Sequence, residues 1–201
     1  MGNAPGTGDI AAAVDGADKV VRFNNARGFG GETGTAVDEL YLINSGGQMR
    51  EWLADAVFLA RPVVAATRCI TLPIAPETGA LFPPSNEPEG EDSRNFAPEA
   101  CARFRAAGKA VRVLPASRYR AACEALGLLP LKPGSRTPST GFLAIYAAFG
   151  ALPADATLAL YGFGFDGWEG HPFDREREFV ERHSGDRLVW HSLPGTAQAR
   201  A

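Results

Sequence analysis

"TPSTGFLAIYAAFGALPADATLALYGF", residues 137–163, contains the pattern that decides the fold. The apolar run 142–149 has no polar face, which is typical of a helix buried between two layers of a domain. A turn follows, and residues 157–163 then form a second apolar run, of strand length. A buried helix that leads into a buried strand is the repeating unit of layered α/β domains.

The rest of the chain repeats this alternation of short apolar runs and longer helical patterns. Strands are predicted at residues 19–23, 39–43, 62–67, 110–114, 157–163 and 187–192. Helices are predicted at residues 9–17, 48–55, 97–107, 117–126, 139–150 and 172–183. Because strands that alternate with helices pair in parallel, the sequence predicts an α/β fold with a mainly parallel, Rossmann-like sheet flanked by helices.

The amino-terminal residues have the pattern of a turn that follows a first strand. "GNAPGTGD", residues 2–9, is rich in glycine and precedes a helical pattern, but only Met1 stands before it. In a doubly wound sheet the first strand is usually central. We therefore expect a sheet that lacks its first strand, or one in which another strand takes that place.

The length of the chain fits a single domain over residues 1–193. Residues 76–98 are rich in proline, glycine and acidic residues and have few apolar anchors, which predicts a flexible insertion or a lid. Residues 194–201 predict a disordered tail, as is common at chain ends.

The bulk composition is that of a soluble globular protein, with 45% hydrophobic and 21% charged residues and a net charge of −3. The negative charge weighs against a nucleic-acid binder, and the local basic clusters fit solvated helix faces better than an anion-binding wall. Three cysteines without CxxC spacing fit a reducing compartment. Because no signal peptide or membrane span is apparent, we expect a cytoplasmic location. The oligomeric state is not indicated.

The start of the buried helix has the residues of an anion-binding turn. Pro138 disfavours helical geometry at Thr137, so the helix begins after it, and Ser139 or Thr140 can cap it. Gly141 leaves the backbone N–H groups and the positive helix end open to a phosphate. An ordinary helix cap explains Ser139 equally well, but it does not explain Gly141, because glycine is unfavourable inside a helix unless something approaches closely.

Asparagines stand at two further turns. Asn3 lies in the glycine-rich turn that also contains Gly2, and Asn24 lies where the strand 19–23 ends. In open α/β sheets ligands bind at the carboxyl ends of strands, where an amide offers both a donor and an acceptor to a nucleotide. The alternative interpretations are an ordinary chain terminus and an asparagine that only shapes a turn.

A last cluster of polar residues follows the strand 157–163. His171 precedes Pro172, which is favoured in a first helical turn, and Asp174 and Glu176 follow. Acidic residues at this end also favour the helix dipole without any further role. His171, Asp174 and Glu178 share one helix face, but no other ligand-spaced group supports them, so no metal site is predicted.

Four motifs in this order resemble those of the animal-type sialyltransferases, glycosyltransferase family 29. The family's long motif has a Gly-Asn turn, an Arg-x-Asn strand end and a glycine-rich stretch, and its short motif has a Pro-Ser-Thr-Gly core and a Tyr-Gly-Phe strand end. Its last motif is a histidine, four residues and a glutamate. The matching residues here are Gly2-Asn3, Arg22-Phe23-Asn24, 30–34, Pro138-Ser139-Thr140-Gly141, Tyr161-Gly162-Phe163, His171 and Glu176.

The resemblance implies a glycosyltransferase that moves a sugar from a CMP-activated donor to an unknown acceptor hydroxyl, with inversion and without a required metal or a further cofactor. It implies that His171 is the general base and that Glu176 belongs to the same catalytic motif. An imidazole titrates near neutral pH and suits a general base. The residues that it implies for donor binding are Gly2, Asn3, Asn24, Ser139, Thr140, Gly141 and Gly162.

The chain departs from the family in ways that favour a second hypothesis. We expect neither the membrane anchor nor the disulfide that joins the long and short motifs in the family's Golgi members, and residues 164–170 contain no counterpart of the histidine-rich third motif. Some small bacterial relatives are labelled urease operon accessory protein. The alternative is therefore a non-catalytic nucleotide-binding or accessory protein on the same fold. The irregular glycine spacing disfavours a dinucleotide-dependent oxidoreductase.

Overall fold

The structure is a computed structural model that describes residues 1–4, 8–81, 94–132 and 134–191. The strands are β1 Val21–Phe23, β2 Glu39–Tyr41, β3 Cys69–Leu72, β4 Ala110–Val113, β5 Leu158–Tyr161 and β6 Leu188–His191. The α-helices are α1 Ala11–Asp15, α2 Gly46–Ala54, α3 Pro62–Ala66, α4 Ala97–Ala106, α5 Ala116–Ala125, α6 Thr140–Gly150 and α7 Phe173–His183. Phe58–Ala60 and Pro76–Leu81 form short 3₁₀ helices.

Every strand pair is parallel, which confirms the predicted α/β fold. Strands β1, β2, β3 and β4 form one sheet in that order, and β5 and β6 form a second. Phe23 pairs with Tyr41, and Tyr41 pairs with Thr71, so the carboxyl ends of β1, β2 and β3 lie at one edge. Helices lie between all consecutive strands except β1 and β2, which the loop 24–38 joins. Consecutive parallel strands need such crossover connections.

Residues 1–4 lie between the two sheets. The amine of Met1 donates to the carbonyl of Val21 at 2.7 Å, and the amide of Gly2 donates to Tyr161 at 2.6 Å. The amide of Ala4 donates to Gly162 at 3.0 Å. This segment therefore stands at the place where the last residues of a central strand would be, beside the carboxyl ends of β1 and β5.

The strand predicted at residues 62–67 is wrong, because the segment forms α3. Pro62 occupies the first turn of that helix, where its fixed φ angle is favourable, and Val63 and Val64 point into the core. The true strand is β3, whose residues 70–72 are fully buried. A short apolar run with two valines fits either structure, and the proline decides for the helix.

The two largest apolar clusters of the described residues form most of the core. The first surrounds the four-stranded sheet and is centred on Leu40, Ile70 and Phe104, which are fully buried. The second joins helices α5, α6 and α7, and its centre is the edge-to-face pair of Phe142 and Phe179, with ring centroids 5.2 Å apart. The apolar helix α6 is therefore buried as its sequence predicts, with Thr140–Ile145 nearly inaccessible.

The predicted insertion 76–98 is ordered at both of its ends. Its first residues form the 3₁₀ helix Pro76–Leu81, and Asn95 donates to the carbonyls of Ile74 and Ala75. Residues 82–93, the middle of that insertion, and the predicted tail 194–201 lie outside the described residues. No helix in the described part of the chain has both the length and the apolar character that crossing a bilayer requires.

Candidate functional site

The predicted donor-site residues gather where the chain changes direction across the sheet. From residues 1–4 the chain builds β1, β2, β3 and β4 on one side, and it returns to place β5 and β6 on the other. Such a reversal is a topological switch point, and ligands of open α/β sheets bind in the crevice beside it. Asn3, Asn24 and Gly162 lie at this edge.

Asn3 uses both polar atoms of its side chain within the protein. Its Nδ2 donates to the carbonyl of Phe23 at 2.9 Å, and its Oδ1 accepts from the amide of Arg27 at 2.9 Å. The side chain thus ties residues 1–4 to the end of β1 and to the loop that follows. This is a structural role, which the sequence did not distinguish from ligand binding.

Asn24 ends β1 in the left-handed backbone region, with φ of 51°. Asparagine is tolerated there more readily than most residues. Its Oδ1 accepts from the amide of Ile43 at 2.9 Å, which links the ends of β1 and β2. Its Nδ2 has no hydrogen-bond partner among the described residues, so this donor is available to a ligand.

The neighbouring glycines allow backbones to approach. A Cβ atom on Gly2 would overlap the carbonyl group of Gly162. Gly2 is therefore required for residues 1–4 to reach β5. Both residues serve the junction between the sheets, and their amide and carbonyl groups are used there, since Gly162 accepts from Ala4.

Arg22 is a buried structural residue whose role the sequence did not reveal. It is inaccessible to solvent, and its guanidinium donates to the carbonyls of Ala36 and Thr33 at 2.8 and 2.5 Å and to the hydroxyl of Thr33 at 2.9 Å. These bonds fold the loop between β1 and β2 against the strand. The carboxylate of Asp15 accepts from the amides of residues 35 and 36, and its negative charge stabilises the charged form of Arg22.

Ser139 caps α6, as one of the two predicted alternatives required. Its backbone is extended, and its Oγ accepts from the amide of Phe142 at 3.0 Å. Thr140 is the first residue of the helix, and its side chain is buried. The cap satisfies one of the amides that a helix start leaves free.

A carboxylate from α7 occupies the start of α6. Glu176 accepts from the amide of Ser139 through Oε1 at 2.7 Å and from the hydroxyl of Ser139 through Oε2 at 2.8 Å. The residue is only 1% exposed. The amide and the hydroxyl of Ser139, which were predicted to bind a phosphate, thus bind the carboxylate of Glu176 instead.

Burial raises the pKa of Glu176 to about 7, although the hydrogen bonds from Ser139 act in the opposite direction. Near neutral pH the carboxyl group therefore exchanges between its neutral and charged forms. In either form it excludes solvent and anions from Ser139. The arrangement places Glu176 as a partner of the helix cap, a contact that the sequence did not predict.

Gly141 is explained by its aromatic neighbours. A Cβ atom at this position would stand 3.1 Å from Cζ of Phe23 and 3.3 Å from Cε1 of Phe163. The two rings themselves pack with centroids 5.5 Å apart. The aromatic side chains at the ends of β1 and β5 therefore approach the helix at Gly141 and leave no space for a ligand there.

His171 lies beside the segment that precedes α6. Its Nδ1 bonds to the carbonyl of Thr137 at 2.8 Å, and the amide of Thr137 donates to Gly170 at 2.9 Å. Because a carbonyl only accepts, Nδ1 carries the proton, and Nε2 is left as the acceptor in the neutral ring. Burial lowers the pKa of His171, partly opposed by the bond to Thr137.

The predicted residues therefore fall into two groups. Gly2, Asn3, Asn24 and Gly162 form the junction of the two sheets, and Ser139, Thr140, Gly141, His171 and Glu176 surround the start of α6. Phe23 connects the groups, because it is bonded through its carbonyl to Asn3 and packs against Gly141. Residues far apart in sequence are thus neighbours, but most of their polar atoms are already paired.

Neither of the two cavities described in the structure is lined by the predicted site residues. The larger, of about 560 Å³, opens at the carboxyl end of β4, between α4 and the 3₁₀ helix Pro76–Leu81, and Glu77 and Arg105 contribute its charges. The only part of this cavity that stands out in the sequence is the basic cluster over residues 101–112. Among the described residues, no three histidine, cysteine, aspartate or glutamate side chains lie close enough together to hold a metal ion.

Comparison with known proteins gives one relative to report. The chain is 29% identical over 193 residues to the urease operon 23 kDa accessory protein of Rhizobium meliloti (strain 1021), and the match covers 88% of this chain and 85% of that protein. No family model matches the chain, and no solved structure matches it. The long, nearly full-length match links the chain to a protein that is named for its operon and for an accessory role.

Proposed function

We propose that the protein is a non-catalytic accessory protein of the urease-operon type, which acts by binding and not by transferring a sugar. Two findings support this proposal. The first is the relative, whose name describes an accessory protein and whose length matches that of this chain. The second is the predicted binding site for the sugar donor, where hydrogen bonds within the protein already use most of the polar side-chain atoms.

The observation that carries the proposal is the contact between Glu176 and Ser139. Two hydrogen bonds of 2.7 and 2.8 Å fill the helix start to which the donor phosphate was assigned. A phosphate would have to displace a buried acid and, when that acid is charged, would be repelled by it. Asn3 likewise uses both polar atoms of its side chain within the protein.

A complementation experiment tests the accessory role. In Rhizobium meliloti (strain 1021) that lacks the gene for the 23 kDa accessory protein, this chain is expressed, and urease activity is compared with that of the deletion strain and of the strain with its own gene restored. We expect the chain to restore whatever activity the native gene restores, and the His171→Ala variant to restore it equally. Complementation that His171→Ala abolishes, with the variant folded and equally abundant, would argue for catalysis.

Sugar transfer from a CMP-activated donor to an acceptor hydroxyl is the second candidate, and the geometry of His171 favours it. The bond from Nδ1 to Thr137 fixes the tautomer that leaves Nε2 free to take a proton, and the lowered pKa keeps the ring neutral at physiological pH. Those are the properties of a general base. Asn24 would supply a donor through Nδ2 to the bound nucleotide. Under this candidate, CMP titrated by calorimetry binds the protein, and Asn24→Ala weakens the binding.

A further inference from the structure

An apolar groove separates the two sheets below residues 1–4. Its cavity volume is about 170 Å³, and β1 and β5 form its two long walls. Helices α1 and α6 contribute the remaining lining, with Ala13 and Val14 from one and Ala144, Ile145 and Ala148 from the other. Apart from Lys19, Thr157 and Tyr161, the side chains that line the groove are apolar.

Both walls are unpaired strand edges. The amide of Leu158 donates to the carbonyl of Arg187, next to β6. Because backbone groups along a strand alternate between its two neighbours, those of Ala159 and Tyr161 face the groove. The amide of Asn24 donates to Tyr41 in β2, so Val21 faces the groove from the other side. The end of each edge is occupied, because Val21 accepts from Met1 and Tyr161 accepts from Gly2. Beyond that point no strand among the described residues pairs with either edge.

The segment 1–4 runs in the same direction as both edges. Going along the chain, Met1 bonds to Val21 and Asn3 to Phe23, while Gly2 bonds to Tyr161 and Ala4 to Gly162. The amine of Met1 therefore points back into the groove. Burial and the charge of Arg22 lower the pKa of this amine to about 5. The amine is therefore neutral at pH 7, and a neutral peptide group could occupy its place without the cost of burying a charge.

We propose that the groove is the seat of a further parallel strand, a short apolar segment joined to the amino side of Met1, which unites the two sheets into one. A strand of about four residues, the length of β5, spans the free part of that edge. Helices α1 and α6, which line the groove, would pack against it, and strands buried beneath helices are rich in apolar residues. The strand order would then be β4, β3, β2, β1, the new strand, β5 and β6.

Three forms of the protein test this inference. The first is the chain of 201 residues. The second carries an initiator methionine and five valine and isoleucine residues ahead of Met1, and the third carries the same number of glycine and serine residues. Thermal unfolding is followed for each, together with hydrogen exchange of the added amides and the molar mass in solution by light scattering.

We expect the apolar extension to raise Tm by about 5–10 °C over both other forms, since it buries apolar surface and pairs two open edges. We also expect its amides to exchange at least about 100-fold more slowly than those of the glycine-serine extension. Ala13→Asp, at an exposed position of the groove lining, places a carboxylate against the added strand and should cancel most of the gain in Tm while changing the 201-residue chain little.

Two results would overturn the inference. One is an apolar extension that leaves Tm unchanged or lowered, with amides that exchange freely. The other is a dimer of the 201-residue chain that persists when the apolar extension is present, since a second copy would then occupy the groove.

Discussion

At the scale of single residues, Ser139 and Glu176, which were predicted to serve a donor site, are hydrogen-bonded to each other. Ser139 and Glu176 are 37 residues apart in sequence, and a pattern of local spacing does not reveal that their side chains meet. The cap at Ser139 was predictable, because it depends only on Pro138 and on the apolar run that follows. Its second partner depends on the packing of α7 against α6, which only the folded chain displays.

Glu176 should make stability depend on pH. The pKa of its carboxyl group is about 7 when folded and about 4.5 when unfolded, so between these values the folded form holds a proton that the unfolded form has lost. Stability from this group is therefore present below about pH 4.5 and is lost as the pH rises to about 7. Because the amine of Met1 titrates in the opposite sense over an overlapping range, the effect is isolated by comparing variants.

Denaturation by urea at pH 5 and pH 8 measures this effect in the wild type and in Glu176→Gln, which preserves the size of the side chain and an acceptor for the amide of Ser139 but does not titrate. The free energy of unfolding of the wild type relative to the variant should fall by about 2–3 kcal/mol between the two pH values. A difference that stays constant with pH would show that Glu176 is charged throughout.

Ser139→Ala should destabilise the protein by about 2 kcal/mol, because it removes the cap of α6 and leaves Glu176 short of one donor. The matched control is Ser117→Ala, at an exposed position in the first turn of α5, where no side chain caps the helix. That variant should stay within about 0.5 kcal/mol of the wild type. Equal effects of the two substitutions would contradict the assigned role of Ser139.

At the scale of elements, the sequence predicted most strands and helices because their apolar periods are unambiguous. Strand β4 and helix α6 lie within the ranges expected for them. The segment Pro62–Ala66 was mistaken for a strand, since valine-rich runs of that length fit both structures and a proline in a first turn is a weak local signal. The adjoining strand β3 was missed for the same reason, because only one of two neighbouring apolar runs was assigned to the sheet.

Strand β1 is tied to its following loop by Arg22, and this tie can be tested separately. Arg22→Lys should cost about 2–3 kcal/mol, because one ammonium does not reproduce the fork that reaches Thr33 and Ala36 together. Arg27→Lys, on an exposed position of the same loop, is the control and should be nearly neutral. Chemical denaturation of both variants distinguishes a structural arginine from a solvated one.

At the scale of the whole molecule, the fold was predicted better than the site. Alternation of elements implies parallel strands and a switch point, and the expectation of an incomplete centre corresponds to residues 1–4 and the groove beneath them. Whether a residue at the switch point binds a ligand or another part of the protein depends on neighbours from other elements. Asn3 and Asn24 are both asparagines at the same edge, yet Asn3 bonds through both polar atoms of its side chain, and Asn24 bonds to the described residues through Oδ1 alone.

We infer that the protein, with Glu176 bound at the start of α6, does not transfer sugars, and turnover of a CMP-activated donor decides this. Release of CMP from CMP-sialic acid is followed over time with the wild type and with His171→Ala at equal concentrations, in the presence of a mixture of sugar acceptors. We expect the same slow, uncatalysed rate with both proteins. A wild-type rate about 100-fold or more above that of the variant, as general-base catalysis would give, would contradict it.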